Sequence, residues 1–502
     1  MTMTSTGTTD ARDEAREQRS AHPRGLGAFG FPEGLMLLGD DERALDLRAE
    51  LAAGRLPEPA TWPAELAGVV AAHTGDADPA SPLGLGGVAT YNRWVLDPQS
   101  AGPDDVRAAL PAGVRPLVDV VGWTVGLTDA PAVPDEAARD TEPEVSALVL
   151  ATLASRALES GDPATALGLL DEAASTASAV APALAAMLTG NAASLLRQHG
   201  AGADRVVPLL SSAAAGLAGT DLHETRAELL HELGLLAHER AATAPDEGTS
   251  REAMREAMQH YYDALTLVTE ESAPLTWASV QLDLAAAHLA TPMTSAGDQL
   301  RLGVAAQSLR ACRRVFDPAE HPGPWSTATL NLANALVYTP SAHRADNLVE
   351  AVGLYEEVLA SGVRSGDTVG RARLLTNLGN TLAHLGVLDD ARRHLADARF
   401  LFESVEDHDG AATARGLIDE VARAEAAAGG ASRSGEEPDP LADLARQAER
   451  MSQVPGAGEG AFTSGMGVTV TPMPAGEGVP PERRVTRVSA AERPTTVQEE
   501  SR

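Results

Sequence analysis

The sequence contains no lysine, so all 39 of its basic residues are arginine. A protein without lysine has no P-loop lysine, no lysine that forms a Schiff base and no lysine general base. It also offers no side chain to which pyridoxal phosphate or biotin is attached. The composition therefore excludes several large classes of enzyme before any motif is considered.

Cysteine and aromatic residues are scarce. Cys312 is the only cysteine, so no disulfide forms within the chain, and a reducing, cytoplasmic location is expected. Apolar residues surround it on a predicted helix, which favours a small buried core residue over a nucleophile. Aromatic residues make up 3% of the chain, fewer than a β-sandwich or barrel usually needs. Together these features favour an all-α protein.

The charge is strongly one-sided, with a formal net charge of −32 spread along the chain. No basic stripe is present, which argues against binding to nucleic acid or to an anionic membrane surface. No run of apolar residues is long enough to span a bilayer, and the first residues are too polar for a secretory signal. The expected partners are therefore proteins, including basic segments.

Residues 374–398 carry the most informative pattern in the chain. The first half predicts a helix with one apolar stripe at i, i+3, i+4 and i+7, formed by Leu375, Leu378, Gly379 and Leu382. Gly386 then ends that helix. Asp389 and Asp390 favour the start of a second helix, whose inner face consists of Ala391, Leu395 and Ala398. The small residues allow the two helices to approach closely.

This order of large and small residues resembles the tetratricopeptide repeat. The same spacing recurs at 150–173, more loosely around Gly190 and Gly234, and in two units that begin at Trp277 and Trp325. Most units are longer than the basic 34-residue repeat, and the expanded, Trp-led form is similar to repeats of bacterial signalling and conflict-associated proteins. The resemblance implies an all-α fold, namely an α-solenoid of about six helix pairs. Proteins with such solenoids mostly bind other molecules.

Composition divides the chain into four parts. We expect a disordered leader at 1–24, a small α-helical N-terminal unit at 25–135, the solenoid with its C-terminal capping helix at 143–428, and a mostly disordered tail at 429–502. Within the N-terminal unit, helices are predicted at 40–53, 61–73, 104–111 and 114–126. A capping helix is predicted at about 411–427, ended by Gly429 and Gly430, and a short helix is expected at 440–451.

No constellation of residues supports catalysis. His231 and His238 share one helix face but lack further ligands, so no metal and no cofactor is expected. The glycine-rich segments 84–87 and 456–460 follow no predicted strand and are interpreted as loops. The sequence therefore predicts a protein that is not an enzyme, although residues 25–135 leave that question open.

The resemblance places a ligand groove on the first helix of each pair, beside the small packing residue. The candidate groove residues in these places are Asn191, Asp283, Asn331, Asn334, Arg373, Asn377 and Asn380. An asparagine side chain donates and accepts, so it can bind the backbone of an extended peptide, and Arg373 could bind a carboxylate or phosphate. The alternative is that these asparagines only join neighbouring helices.

The sequence therefore predicts a cytoplasmic, non-enzymatic adaptor or scaffold that binds a protein or peptide partner. Three alternatives remain open. The chain could be a ligand- or peptide-sensing regulator in bacterial signalling, a structural subunit of an enzyme complex, or a homo-oligomer assembled through the end of its helical array. The absence of lysine disfavours the carboxylate-clamp type of groove, which relies on lysines as well as asparagines.

Overall fold

A computed structural model describes residues 28–29, 32–39, 42–73, 79–128, 141–291, 298–339 and 343–434. Every regular element in these ranges is helical, with eighteen α-helices, four short 3-10 helices and no strand. The all-α prediction is confirmed. The leader at 1–24 and the helix at 440–451 lie outside the described residues, as does the tail beyond Ser434.

The chain divides into two compact units, one up to Leu233 and one from Gly234. The first unit begins with five short helices, α1 (Glu42–Ala52), α2 (Ala67–His73), α3 (Gly86–Leu96), α4 (Pro103–Ala109) and α5 (Pro116–Thr124). Four longer helices follow, α6 (Pro143–Glu159), α7 (Pro163–Ala177), α8 (Pro182–Gln198) and α9 (Ala203–Gly216). Helix α10 (His223–Ala242) comes next.

The second unit continues the same pattern of helix pairs. Its elements are α11 (Glu247–Leu265), α12 (Pro274–Ala290), α13 (Asp298–Val315), α14 (Pro322–Tyr338), α15 (Arg344–Ser361), α16 (Thr368–His384), α17 (Leu388–Ser404) and α18 (His408–Ser434). From α11 to α18, each helix packs against the next along the chain. In the first unit, α6 to α9 pack in the same way. This succession of neighbouring helices is the arrangement of an α-solenoid.

Local sequence explains where the helices begin. Proline occupies the first turn of α6, α7, α8, α12 and α14, where its missing N–H costs no hydrogen bond. Four aspartates that directly precede helices accept a hydrogen bond from a backbone N–H three residues later. They are Asp162, Asp246, Asp367 and Asp407.

Helix α3 differs from the prediction, because the glycine segment 84–87 is interpreted from the sequence as a loop. The helix begins at Gly86, within that segment. A Cβ atom on Gly87 would lie 2.0 Å from the carbonyl oxygen of Ala109, so only glycine fits at this close approach. Burial then holds the helix, because Tyr91 and Trp94 are both 0% exposed. The tertiary contacts of these two rings outweigh the weak helix propensity of the glycines.

The small residues in the repeats allow close packing, as the sequence indicated. A Cβ atom on Gly379 would lie 2.7 Å from Cγ of Leu395 and 3.1 Å from the carbonyl oxygen of Ala391. A Cβ atom on Gly234 would lie 2.4 Å from the ring of Tyr261. Glycine therefore sets the distance between the two helices of these pairs.

Arginine–glutamate pairs join several of the second helices. Arg310 of α13 contacts Glu350 of α15 at 2.9 Å, and Arg313 contacts Glu357 at 2.8 Å. Arg392 of α17 pairs in the same way with Glu425 of α18. The pairs are partly exposed, so each adds little to stability. They nevertheless fix which residues of these neighbouring helices face each other.

The last helix, α18, is longer than predicted. It runs through the glycine pair 429–430 to Ser434, whereas the sequence predicts that the helix ends at these glycines. Each glycine costs about 1 kcal/mol relative to alanine, and the flanking alanines favour the helix. No described helix is long and apolar enough to cross a membrane.

Candidate binding surface on the first helices of the second unit

The predicted groove residues of the second unit lie on α12, α14 and α16, the first helices of three successive pairs. Helix α14 packs against both α12 and α16. Each helix carries a small buried residue at the same place in the repeat, namely Ala285, Ala333 and Gly379. The predicted polar residues lie two positions before and one position after it. This register determines which of them meet.

Asn334 of α14 is the centre of a small polar network. Its Oδ1 accepts a hydrogen bond from the hydroxyl of Tyr355 at 2.6 Å and another from Nδ2 of Asn377 at 3.1 Å. Tyr355 lies on α15 and is 1% exposed, while Asn334 is 7% exposed. Burial raises the pKa of the Tyr355 hydroxyl far above its usual range, so it remains a donor. One oxygen atom therefore joins three helices.

Asn331 of α14 occupies the same repeat position as Asn377 of α16. Asn377 is bound by Asn334 of the preceding first helix, but no asparagine stands at that position for Asn331. The corresponding residue on α12 is Ala286, which has no side-chain acceptor. Asn331 is 2% exposed, and its Nδ2 has no hydrogen-bond partner within the described residues. The structure therefore buries this amide inside the packing, with its donor closed to solvent.

Asn380 lies one position after Gly379 on α16 and is 7% exposed. Within the described residues its side chain makes no hydrogen bond. Asn377 is half-buried and Arg373 is exposed. These three side chains follow each other at i, i+4 and i+7, so they share one face of α16. They form what we call the α16 polar stripe.

Asp283 lies inside the packing of α12, with 1% of its surface exposed. Its charge helps raise the pKa of the Cys312 thiol to about 12, although burial contributes most. That thiol is 0% exposed and donates to the carbonyl oxygen of Ala278 at 3.3 Å, as expected for a core cysteine. Asn191 is exposed on α8 in the first unit. Neither residue belongs to the α16 polar stripe.

Two polar residues of this region were not predicted. Tyr355 is one of them, since no sequence signal shows that its hydroxyl meets Asn334. Arg364 lies in the turn between α15 and α16, where its side chain is 10% exposed. It contacts Oδ2 of Asp367 at 3.0 Å and Oγ1 of Thr327 at 3.4 Å. A buried arginine in a loop has no periodic pattern that would predict it.

The residues weighed for chemistry do not assemble into a site. Among the described residues, no three His, Cys, Asp or Glu side chains are placed to hold a metal ion. Burial lowers the pKa of His238, so the imidazole is held neutral, and the charge of Asp283 only partly opposes this. In the N-terminal helices, Asp119 is paired with Arg107 at 2.6 Å. Arg93 and Asp97 are both exposed.

No protein-family model matches this chain, and no curated protein matches it. Among solved structures, the chain is similar to a Rap protein crystallised in complex with Competence and Sporulation Factor. The two sequences are 11% identical, and the match covers 68% of this chain and 92% of that one, with a TM-score of 0.32. At this level the likeness carries no argument about family or ligand.

Proposed function

We propose that this chain is a cytoplasmic, non-enzymatic adaptor whose α16 polar stripe binds an extended segment of a protein partner. The observation that carries the proposal is Asn380, whose side chain makes no hydrogen bond within the described residues while its amide atoms stay accessible to solvent. Each hydrogen bond that this amide gains from a ligand contributes about 0.5 to 1.5 kcal/mol. A peptide backbone, which presents one donor and one acceptor per residue, would satisfy it.

The spacing of the stripe suits an extended chain. Arg373 and Asn380 are separated by seven residues of helix, which is about 10 Å along the helix axis. An extended peptide covers that distance with about three residues. Asn377 uses Nδ2 to bind Asn334, so its Oδ1 remains to accept a bond from a peptide N–H. The stripe can therefore grip a short backbone segment without reading its side chains.

Charge adds selectivity to this surface. The chain carries a formal net charge of −32, which attracts basic proteins over long distances. Arg373 is exposed and provides a local cation at one end of the stripe, where it can pair with a carboxylate. The proposed partner segment is thus extended, with an acidic group placed against Arg373 and basic residues nearby.

The double substitution Asn377→Ala and Asn380→Ala is expected to weaken peptide binding about tenfold or more. Two hydrogen bonds, each contributing about 0.5 to 1.5 kcal/mol, account for this loss. The measurement begins by selecting random ten-residue peptides on the immobilised full-length protein. Enriched peptides are then synthesised with a fluorophore and titrated with the wild-type and variant proteins by fluorescence polarisation.

Asn347 supplies the matched control, since it is a half-buried asparagine on α15, a second helix. Asn347→Ala should leave the affinity unchanged. The double variant keeps Asn334 and its bond from the Tyr355 hydroxyl, although it loses the bond from Nδ2 of Asn377. Equal loss in the two variants, or no enriched peptide at all, would count against the proposal.

A further inference from the structure

The first unit contains a cavity of about 80 Å³ between the N-terminal helices and the start of α6. Polar atoms contribute nearly as much of its lining surface as apolar atoms, and the larger apolar side chains are Phe29, Leu35, Met36, Leu38, Leu51, Leu117, Val145 and Leu148. Four ionisable residues complete the lining, namely Arg48, His73, Glu142 and Glu144. The cavity therefore combines an apolar wall with a small charged group.

The charges of these four residues do not cancel. Arg48 of α1 forms an ion pair with Glu142, which directly precedes α6. Burial lowers the pKa of His73 to about 4, so that this ring is neutral at physiological pH. Its ring packs against Phe29, with the centroids 5.2 Å apart. Glu144 remains, and when it is ionised the lining carries one net negative charge.

The environment of Glu144 is unfavourable for a carboxylate. Burial and the neighbouring charge of Glu142 raise its pKa, and Arg48 only partly offsets them. Its side chain makes no hydrogen bond within the described residues. A position in the first turn of a helix favours a carboxylate, and Glu144 is half-buried in the lining with its oxygens still reached by solvent. A bound cation would compensate for the burial.

We propose that this cavity binds a small organic cation, an ammonium or guanidinium group on a short apolar stem, with Glu144 as its counter-ion. The stem would contact the apolar wall. Arg48 would stay paired with Glu142, which leaves Glu144 as the carboxylate that binds the cation. The site is separate from the α16 polar stripe and does not depend on the function proposed for it.

The volume of the cavity limits the size of the ligand. A water-sized group needs about 10 to 15 Å³ of such volume, so the cavity holds roughly five to eight heavy atoms. Typical pockets for drug-sized molecules are several times larger. An n-butylammonium ion has five heavy atoms and n-butylguanidinium has eight. Both match the available space.

The test is calorimetric titration of the full chain with n-butylammonium, n-butylguanidinium and, as a neutral control, n-butanol. We expect the two cations to bind and butanol to bind at least about tenfold more weakly, since a hydrogen bond to a charged group contributes about 1.5 to 3 kcal/mol. Affinity should rise with pH as Glu144 ionises. A capped Gly-Lys-Gly peptide, titrated in parallel, distinguishes a tethered basic side chain from a free amine as the source of the cation.

Glu144→Gln is expected to reduce cation binding about tenfold or more and to remove its pH dependence. Glu159→Gln, an exposed glutamate at the other end of α6, should bind like the wild type. Equal cation affinity in wild type and Glu144→Gln, or no binding by wild type, would overturn the proposal.

Stability provides a second measurement on the same variant. The folded pKa of Glu144 is raised above its unfolded value, so the folded state binds more protons in the range between the two values. Stability contributed by protonated Glu144 is therefore lost as the pH rises through the folded pKa. Glu144→Gln should raise the Tm at neutral pH, and this gain should shrink towards pH 4. Added n-butylammonium should raise the wild-type Tm and leave that of the variant unchanged.

Discussion

Replacing Asn334 with leucine is expected to destabilise α14 and α16 by about 2 to 4 kcal/mol, because the Tyr355 hydroxyl and Nδ2 of Asn377 both lose their acceptor. The hydroxyl of Tyr355 is fully buried, so water cannot readily replace the lost bond. Native-state hydrogen exchange of the amides in these helices measures the change as a loss of protection.

Asn331→Leu is the matched control for this prediction. It makes the same chemical change on the same helix, three residues earlier, at a side chain of similar burial. Here leucine removes a donor that already lacks a partner within the described residues. Protection should therefore stay the same or increase. Similar losses in the two variants would show that the hydrogen bonds of Asn334 do not determine its contribution.

Gly379→Ala is expected to destabilise the pair α16 and α17 by about 1 to 3 kcal/mol, the usual cost of overpacking. The new Cβ would lie 2.7 Å from Cγ of Leu395, and the carbonyl oxygen of Ala391 is backbone that cannot rotate away. The helices must move apart to accept it. Hydrogen exchange of α17, together with thermal unfolding followed by circular dichroism, reports the effect.

Gly353→Ala is the control, and it is expected to change the stability in the opposite direction. Gly353 is exposed in the middle of α15, and a Cβ there would meet nothing within 4 Å. Alanine should stabilise the helix by about 0.5 to 1 kcal/mol, since it has the higher helix propensity. If Gly379→Ala also stabilised the protein, the proposed close approach of α16 and α17 would be wrong.

The helical repeats could be predicted from the sequence because each pair is strongly periodic and is closed by local signals. The apolar stripe from Leu375 to Leu382 and the end of the helix at Gly386 depend only on residues that are close together in the sequence. Helix α3 could not be predicted in this way. It begins with two glycines, and it is held by long-range contacts such as the 2.9 Å bond from the Tyr91 hydroxyl to the carbonyl oxygen of Leu35.

The contacts of the candidate surface residues could not be predicted from the sequence either. Asparagine at a repeated position is visible in the sequence, but its partner is not. Asn334 and Asn377 are 43 residues apart, and their bond depends on how α14 is staggered against α16. Asp283 and Asn377 occupy equivalent positions, yet the first is buried and the second is half-buried. Which of these residues meets a ligand is decided by packing, so the assignment of the α16 polar stripe remains a prediction for the binding experiment.

The arginine–glutamate pairs between helices of the second unit have a consequence for regulation. Each cation that joins α13 to α15, or α17 to α18, is a guanidinium. Acetylation and ubiquitination act on lysine side chains, and this chain has none. Enzymes that modify lysine side chains therefore have no target on this surface. Arginine methylation, which keeps the charge but blocks paired hydrogen bonds, would instead act on the cation itself.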